Sequence, residues 1–186
     1  MTAARIFTSF VLPGRIVIQI AITNEQTAVA VDELRLRAAL EAVLSNSGRR
    51  QGTISVAIVD DRTIHALNQR HLAHDYPTDV LSFVLEEGAD MIDGEIIVSG
   101  ERAVATAPAY GWAAEDELLL YVIHGALHLA GFDDKQPADA ARMRHQEALH
   151  LAAFGLKPHN RAAAAGSGTA HAKRQSKQLT GEGSSP

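Results

Sequence analysis

"EDELLLYVIHGALHLAGFDD" spans residues 115–134. From Leu118 to Ala130 almost every residue is apolar or small. A helix of that composition has no polar face to offer water, so it is expected at the buried centre of the fold. His124 and His128 break the apolar run. Standing four apart, they share one helical face, a turn from each other. Both can therefore point a ring nitrogen at one ion about 2 Å away. Two histidines so spaced can equally be hydrogen-bonded core residues, and the residues after His128 decide between the two. Were the helix to continue, Asp134 would lie roughly 9 Å beyond His128, at about 1.5 Å of rise per residue. Gly131 offers a way out, since glycine takes the left-handed conformation that ends a helix. The chain can then turn back and deliver Asp134 as third ligand. Asp133 is expected to support the site by orienting a histidine.

The pattern H-x-x-x-H-x-x-G-x-x-D has the spacing of the metzincin proteases, with aspartate as third ligand. Three protein ligands leave one position free on the metal, the arrangement of catalytic rather than structural zinc. The zinc proteases also carry a glutamate directly after the first histidine, as general base. Here that position is Gly125. The ligands are present and the protease base is missing.

The rest of the chain sets the context. Its 186 residues are 46% hydrophobic and 21% charged, enough for one globular domain with a real core. No cysteine is present. Disulfide-linked partners and thiolate ligands are thereby excluded, and a metal must use histidine and carboxylate. No apolar run approaches a membrane span. "MTAARIFTSFVLPGR" (residues 1–15) is too broken to read as a signal peptide, so a cytoplasmic protein without membrane partners is expected.

Residues 1–14 read as a loose N-terminal extension. Residues 157–186 hold five Lys/Arg and one acid within small and polar residues, and read as a disordered basic tail. The net charge of −5 then splits into +4 on this tail and −9 on residues 1–156. Such an acidic body does not announce a nucleic-acid binder. Local cations, such as Arg142 with Arg144 or the tail, would have to supply positive surface.

Between these ends, alternation of Ile16, Ile18, Ile20 and Ile22 predicts a strand. Leu36, Leu40, Val43 and Leu44 predict a helix that starts near Asp32 or Glu33. "TISVAIVDD" is a second strand, and Asp61 is expected to cap a short helix carrying Ile64 and Leu67. "DYPTDVLSFVL" and "DGEIIVS" give two more strands. A helix disturbed by Pro108 comes next, then the buried helix, then a closing helix from Pro137 to Gly155. The expected fold is α/β (α+β). A small, mostly four-stranded mixed sheet packs with about five helices, and the metal site lies in a cleft at the end of the central buried helix.

With these residues in view, the chain resembles the YbeY-type endoribonucleases, or rRNA maturation factors. Their signature is similar to HGxLHLxGYDH, which "HGALHLAGFDD" (124–134) matches closely. "PTDVLSF" (77–83) and "GEIIVS" (94–99) resemble two further family segments, and the likeness covers roughly residues 15–156. The resemblance implies a single metal-dependent hydrolase domain over those residues, with one zinc ion per chain. It implies a single-strand-specific endoribonuclease in 16S rRNA 3′-end maturation and ribosome quality control. Its partners would be ribosomal RNA and the small ribosomal subunit.

Two positions depart from the family pattern. Asp134 stands where a third histidine is usual, and Leu72 where many members have arginine. Arg70, two residues earlier, is the candidate replacement. Thr78 and Asp79, with Ser82, are candidates to line the catalytic cleft, or else they brace the start of a strand. His65, His71, His74, His145 and His150 lack ligand spacing and are expected at the surface or at caps. Glu147 can stand behind a metal ligand or on a helix surface, and the surface is the expected place. Two other functions stay open: a zinc metallopeptidase, which fits the residues alone, and, within the resemblance, a non-catalytic ribosome-assembly factor with a structural metal.

Overall fold

The computed structural model describes residues 17–158, and the backbone of Ala170–Lys173. The expected extension, residues 1–14, and the tail beyond Pro158, apart from those four residues, lie outside the described residues. The elements run β1 (Val17–Asn24), α1 (Glu33–Asn46), β2 (Gln51–Val59), α2 (Asp61–Leu72), β3 (Val80–Glu87), β4 (Ile92–Ser99), α3 (Gly100–Thr106), α4 (Ala114–Leu129), α5 (Pro137–Ala152) and β5 (Ala170–Lys173). The predicted mixed α/β order is present. Where Pro108 was expected to disturb a helix, α3 gives way to a 3-10 turn at Ala107–Tyr110.

The sheet order is β1-β2-β4-β3-β5. β1, β2 and β4 run parallel, while β3 returns antiparallel to β4 across a short connection. These four strands are the expected mixed sheet. β5 adds a fifth, parallel to β3, pairing Leu81 with Ala170 and Val84 with Lys173.

Alternation along the central strands gives the sheet two apolar faces. Ile54, Val56, Ile58, Ile96 and Val98 point into the main core with α1, α4 and α5. Val59, Leu81, Phe83 and Ile97 point the other way, into a smaller cluster with Ile64 of α2. A stretch buried on both faces reads as nearly continuous apolar sequence, as β3 does from Val80 to Val84 and β4 from Ile96 to Val98.

Two helix starts rest on aspartate caps. Asp32 accepts from the Arg35 amide at 3.0 Å. For α2 the cap is Asp60, which accepts from the Thr63 amide at 2.7 Å, rather than Asp61. Hydrogen bonds from the Thr63 side chain and from its amide hold the Asp60 carboxyl below its usual pKa. Asp61 instead accepts from the Ser99 hydroxyl, which ties α2 to the end of β4.

α4 is buried on all sides from Glu117 to Leu129, touching α1, α3, α5, β3 and β4. Its close approach to the sheet depends on Gly125. A Cβ there would lie 2.8 Å from Ile96 Cγ2 and 3.1 Å from Val80 Cγ2. Both methyls belong to stiff β-branched side chains in a packed core, and neither can swing aside. Gly125→Ala is therefore expected to destabilise the fold by about 1–3 kcal/mol through overpacking, despite the better helix propensity of alanine. Urea unfolding measures this, and an unchanged midpoint would show that α4 can lift from the sheet without cost.

Candidate metal centre

The last two turns of α4 carry His124 and His128, which are 5% and 3% exposed. The helix then stops by a double hydrogen bond. The Gly131 amide bonds the His128 carbonyl at 3.0 Å, and the Phe132 amide bonds the Leu127 carbonyl at 3.0 Å. This is the Schellman closure, and it puts Gly131 at φ +95°. A Cβ at Gly131 would meet nothing within 4 Å, so the requirement is for backbone conformation and not for space. Reversed in this way, the chain brings Asp134 back over the histidines.

His124 Nε2 and His128 Nε2 lie 3.1 Å apart. Asp134 Oδ2 is 3.7 Å from the first, and Asp134 Oδ1 is 3.9 Å from the second. The three side chains form one group whose ligand atoms all lie within 4.8 Å of each other. Two nitrogens on a tetrahedral zinc ion would be roughly 3.3 Å apart, close to the spacing found.

The other ring nitrogens set the tautomers. His124 Nδ1 is 2.5 Å from Glu147 Oε1, and His128 Nδ1 is 3.1 Å from the Phe132 carbonyl. Both partners are acceptors, so both Nδ1 atoms carry the proton and donate. Each Nε2 is then left with a lone pair, and the two lone pairs face each other in a buried space. Such an arrangement calls for a cation between them. Charge agrees, because Asp134 and Glu147 bring two negative charges that a divalent ion balances. The donor set thus fits zinc, with one carboxylate, two imidazoles and a supporting acceptor behind each ring.

Of the two places the sequence left for Glu147, the structure takes the less expected one, behind a ligand. Glu147 is 7% exposed and bonded to His124. Spacing held the signal. Met143, Glu147 and Leu151 are four apart on α5, and all three are buried. Asp133 also differs from expectation. Its Oδ1 accepts from the amides of Asp134 and Lys135, at 2.8 and 3.3 Å, and no described hydrogen bond joins it to an imidazole. It shapes the turn that delivers Asp134. Burial acts to raise the Asp133 carboxyl, but those amides, with Lys135 and His128, outweigh it and hold the pKa below the usual value.

Thr78 and Asp79 are both buried. The Thr78 hydroxyl donates to Asp79 Oδ1 at 3.1 Å, and that oxygen also accepts from the Val80 amide at 3.0 Å. The Asp79 carbonyl accepts from the Ser99 amide at 3.0 Å. These bonds brace the start of β3 against β4. Arg70 is exposed in the last turn of α2, on the sheet face opposite α4, and no described contact joins it to the trio. Leu72, in place of the family's arginine, packs on the apolar cluster beneath α2.

Four of the remaining histidines lie outside the group. His65 bonds Asp75 at 3.0 Å, His71 meets the edge of Phe83, His74 stacks on Tyr76, and His145 is exposed. His150, expected at the surface or at a cap, is 6% exposed, and burial pushes its pKa below the ordinary histidine value.

A model of the family described as "Endoribonuclease YbeY" matches residues 21–155. The chain belongs to the endoribonuclease YbeY family. An endoribonuclease YbeY of Rhodopirellula baltica is 42% identical over 118 residues, covering 62% of this chain and 61% of that protein. One of Carboxydothermus hydrogenoformans is 38% identical over 139 residues, covering 73% of this chain and 97% of the relative. The solution structure of TM1509 from Thermotoga maritima superposes with a TM-score of 0.50 at 28% identity, over 72% of this chain and 87% of that one. The matched YbeY region contains every element from α1 to α5, together with all three candidate ligands and Glu147.

Because Glu147 fixes the His124 ring and raises its basicity, its loss is expected to weaken metal binding about 10- to 100-fold. Glu147→Leu should lose more than Glu147→Gln, which keeps an acceptor without the charge. Competition against a chromogenic chelator measures this, with circular dichroism as the check on folding. Wild-type affinity in both variants would remove Glu147 from the site.

Proposed function

We propose that this chain is a metal-dependent endoribonuclease that cuts single-stranded RNA at the His124–His128–Asp134 centre, with zinc as its ion. Its expected task is maturation of the 16S rRNA 3′ end and ribosome quality control, with the small ribosomal subunit as partner, in the cytoplasm. The observation that carries the reading is the pair of facing Nε2 lone pairs completed by Asp134. Family membership supplies the substrate class.

A bound zinc ion supplies positive charge and Lewis acidity toward a phosphodiester, and promotes nucleophile activation near neutral pH. The chain's own residues do the rest. Glu147 and the Phe132 carbonyl lock both imidazoles in one tautomer and one orientation. His124 and His128 form the buried floor, their side chains 6% and 2% exposed. Asp134, at 27%, stands on the open side where a strand of RNA would approach. As a carboxylate in place of the usual imidazole, Asp134 makes the centre less electrophilic and more tightly charge-balanced. Arg70, Thr78 and Asp79 remain proposed substrate-side residues. For Arg70, on the sheet face opposite α4, the role is contact with a phosphate of the strand away from the ion, and for Thr78 and Asp79 it is support of the cleft wall.

Packing argues against the peptidase reading. The glutamate that a metallopeptidase needs after its first histidine has no room at Gly125, where even a Cβ presses on Ile96 and Val80. A structural metal is disfavoured too, since such sites use four protein ligands and the described group holds three.

His128→Ala and Asp134→Ala are expected to lose zinc, read by elemental analysis, together with rRNA 3′-end cleavage. Asp134→His should keep both. Casein should stay intact under the same conditions. Full RNA cleavage by metal-free His128→Ala would overturn the proposal.

A further inference from the structure

A cavity of about 230 Å³ opens where the C-terminal ends of α1 and α4 meet the middle of α5. Val43, Leu127 and Phe132 give it apolar walls. Asn46, Gln146 and His150 give it a polar edge. The cavity adjoins the residues of the metal centre. Leu127 precedes His128, the Phe132 carbonyl holds His128 Nδ1, and Gln146 precedes the Glu147 that holds His124.

Three observations define what would fit. First, no Lys, Arg, Asp or Glu lines the cavity, so a phosphate or a cation would find no counter-charge there. Second, His150 is 6% exposed, and its ring, which faces the cavity, has no described hydrogen bond. Burial lowers its pKa, so at neutral pH the ring is uncharged and offers one donor and one acceptor. Third, the volume is below that of pockets for drug-sized ligands, which run from about 300 Å³ upward. A flat, uncharged ring system with a hydrogen-bonding edge meets all three conditions. Single-stranded RNA presents such groups, because its unstacked bases can be splayed out and read on their edges.

We propose that this cavity receives one nucleobase of the RNA strand beside the phosphate held at the metal centre, with Asn46, Gln146 and His150 reading its edge. The proposal rests on the endoribonuclease reading and adds a specificity pocket to it. Asn46 is exposed and Gln146 partly so, and substitution at either spares the core.

The test has a binding arm and a cleavage arm. Zinc-loaded full-length protein is titrated with 2′-O-methylated five-nucleotide strands of adenine, cytosine or uracil, and with an abasic strand of the same length. At least one base series is expected to bind about tenfold more tightly than the abasic strand, and to shift the Asn46 and Gln146 side-chain amide signals in NMR spectra. Asn46→Leu and Gln146→Leu should erase most of that difference. In the cleavage arm the same variants should raise KM and flatten base preference beside the cut, with kcat and zinc content kept. Equal binding of the abasic strand, or unchanged preference in both variants, overturns the pocket. If the wild type binds with base preference but cuts no RNA, the pocket stands and the endoribonuclease reading fails. If it cuts RNA without base preference, the reverse holds.

Discussion

Two imidazoles are buried in the middle of the fold, and every one of their four ring nitrogens needs a partner. Leaving a buried polar group unsatisfied costs about 1–3 kcal/mol. The Nδ1 atoms are satisfied by Glu147 and by the Phe132 carbonyl. That choice turns both Nε2 lone pairs toward one point, and only a cation or a shared proton can occupy it. Burial of α4 therefore leaves a point suited to a cation. The same point ties distant parts of the chain together. Glu147 comes from α5, which is anchored by Met143 and Leu151, at 1% and 0% exposed. The Phe132 carbonyl reaches His128 only because Gly131 reverses the chain. Metal affinity and helix packing are thus one property of the structure, and loosening α5 or the Gly131 turn would be felt at the ion.

The departures from the family pattern obey the same electrostatic logic. A third histidine would leave the ligand set neutral, so that Glu147 alone offset the ion's two positive charges. With Asp134 the ligands and Glu147 together cancel them. On the proposed reading, a metal held here would pull less on a phosphoryl oxygen and be bound more firmly. Leu72 is a different kind of change. An arginine there would carry its charge at the margin of an apolar cluster that includes Val59, Leu81 and Phe83. Leucine packs on it instead. One substitution alters charge at the ion, and the other exchanges a charge for burial on the far side of the sheet.

Local signals were the ones that sequence could reveal. Isoleucine alternation, the leucine stripe of α1 and the apolar run of α4 each fix an element through a period that needs no distant partner. The trident was legible for the same reason, since a helical face and a glycine stop are both short-range. What escaped was set by neighbours remote in the chain. Glu147 looks like a surface residue within "RHQEALH" until α4 is laid beside α5, and His150 on the same helix was misplaced for the same cause. Asp60 and Asp61 are adjacent acids, and only the position of Ser99, brought up by β4, decides which one caps α2 and which one braces the sheet. The fifth strand, Ala170–Lys173, lies in a stretch too polar and small to announce itself.

The ligand spacing is common to enzymes of different chemistry, so the spacing cannot be what selects the reaction. Here the selection is made one residue after the first ligand. In a metallopeptidase that position faces the substrate and carries the base. In this chain it faces the sheet, and Ile96 and Val80 occupy the volume a carboxylate would need. The residue that would abstract a proton has been traded for a closer approach of α4 to β3 and β4, which is what buries the histidines so deeply. On the proposed endoribonuclease reading, an RNA phosphodiester suits such a site, because positioning and charge then act on a bond that lies beside its own 2′-hydroxyl. Deep burial of the two histidines and the missing glutamate beside the first of them are therefore consequences of one packing decision at Gly125.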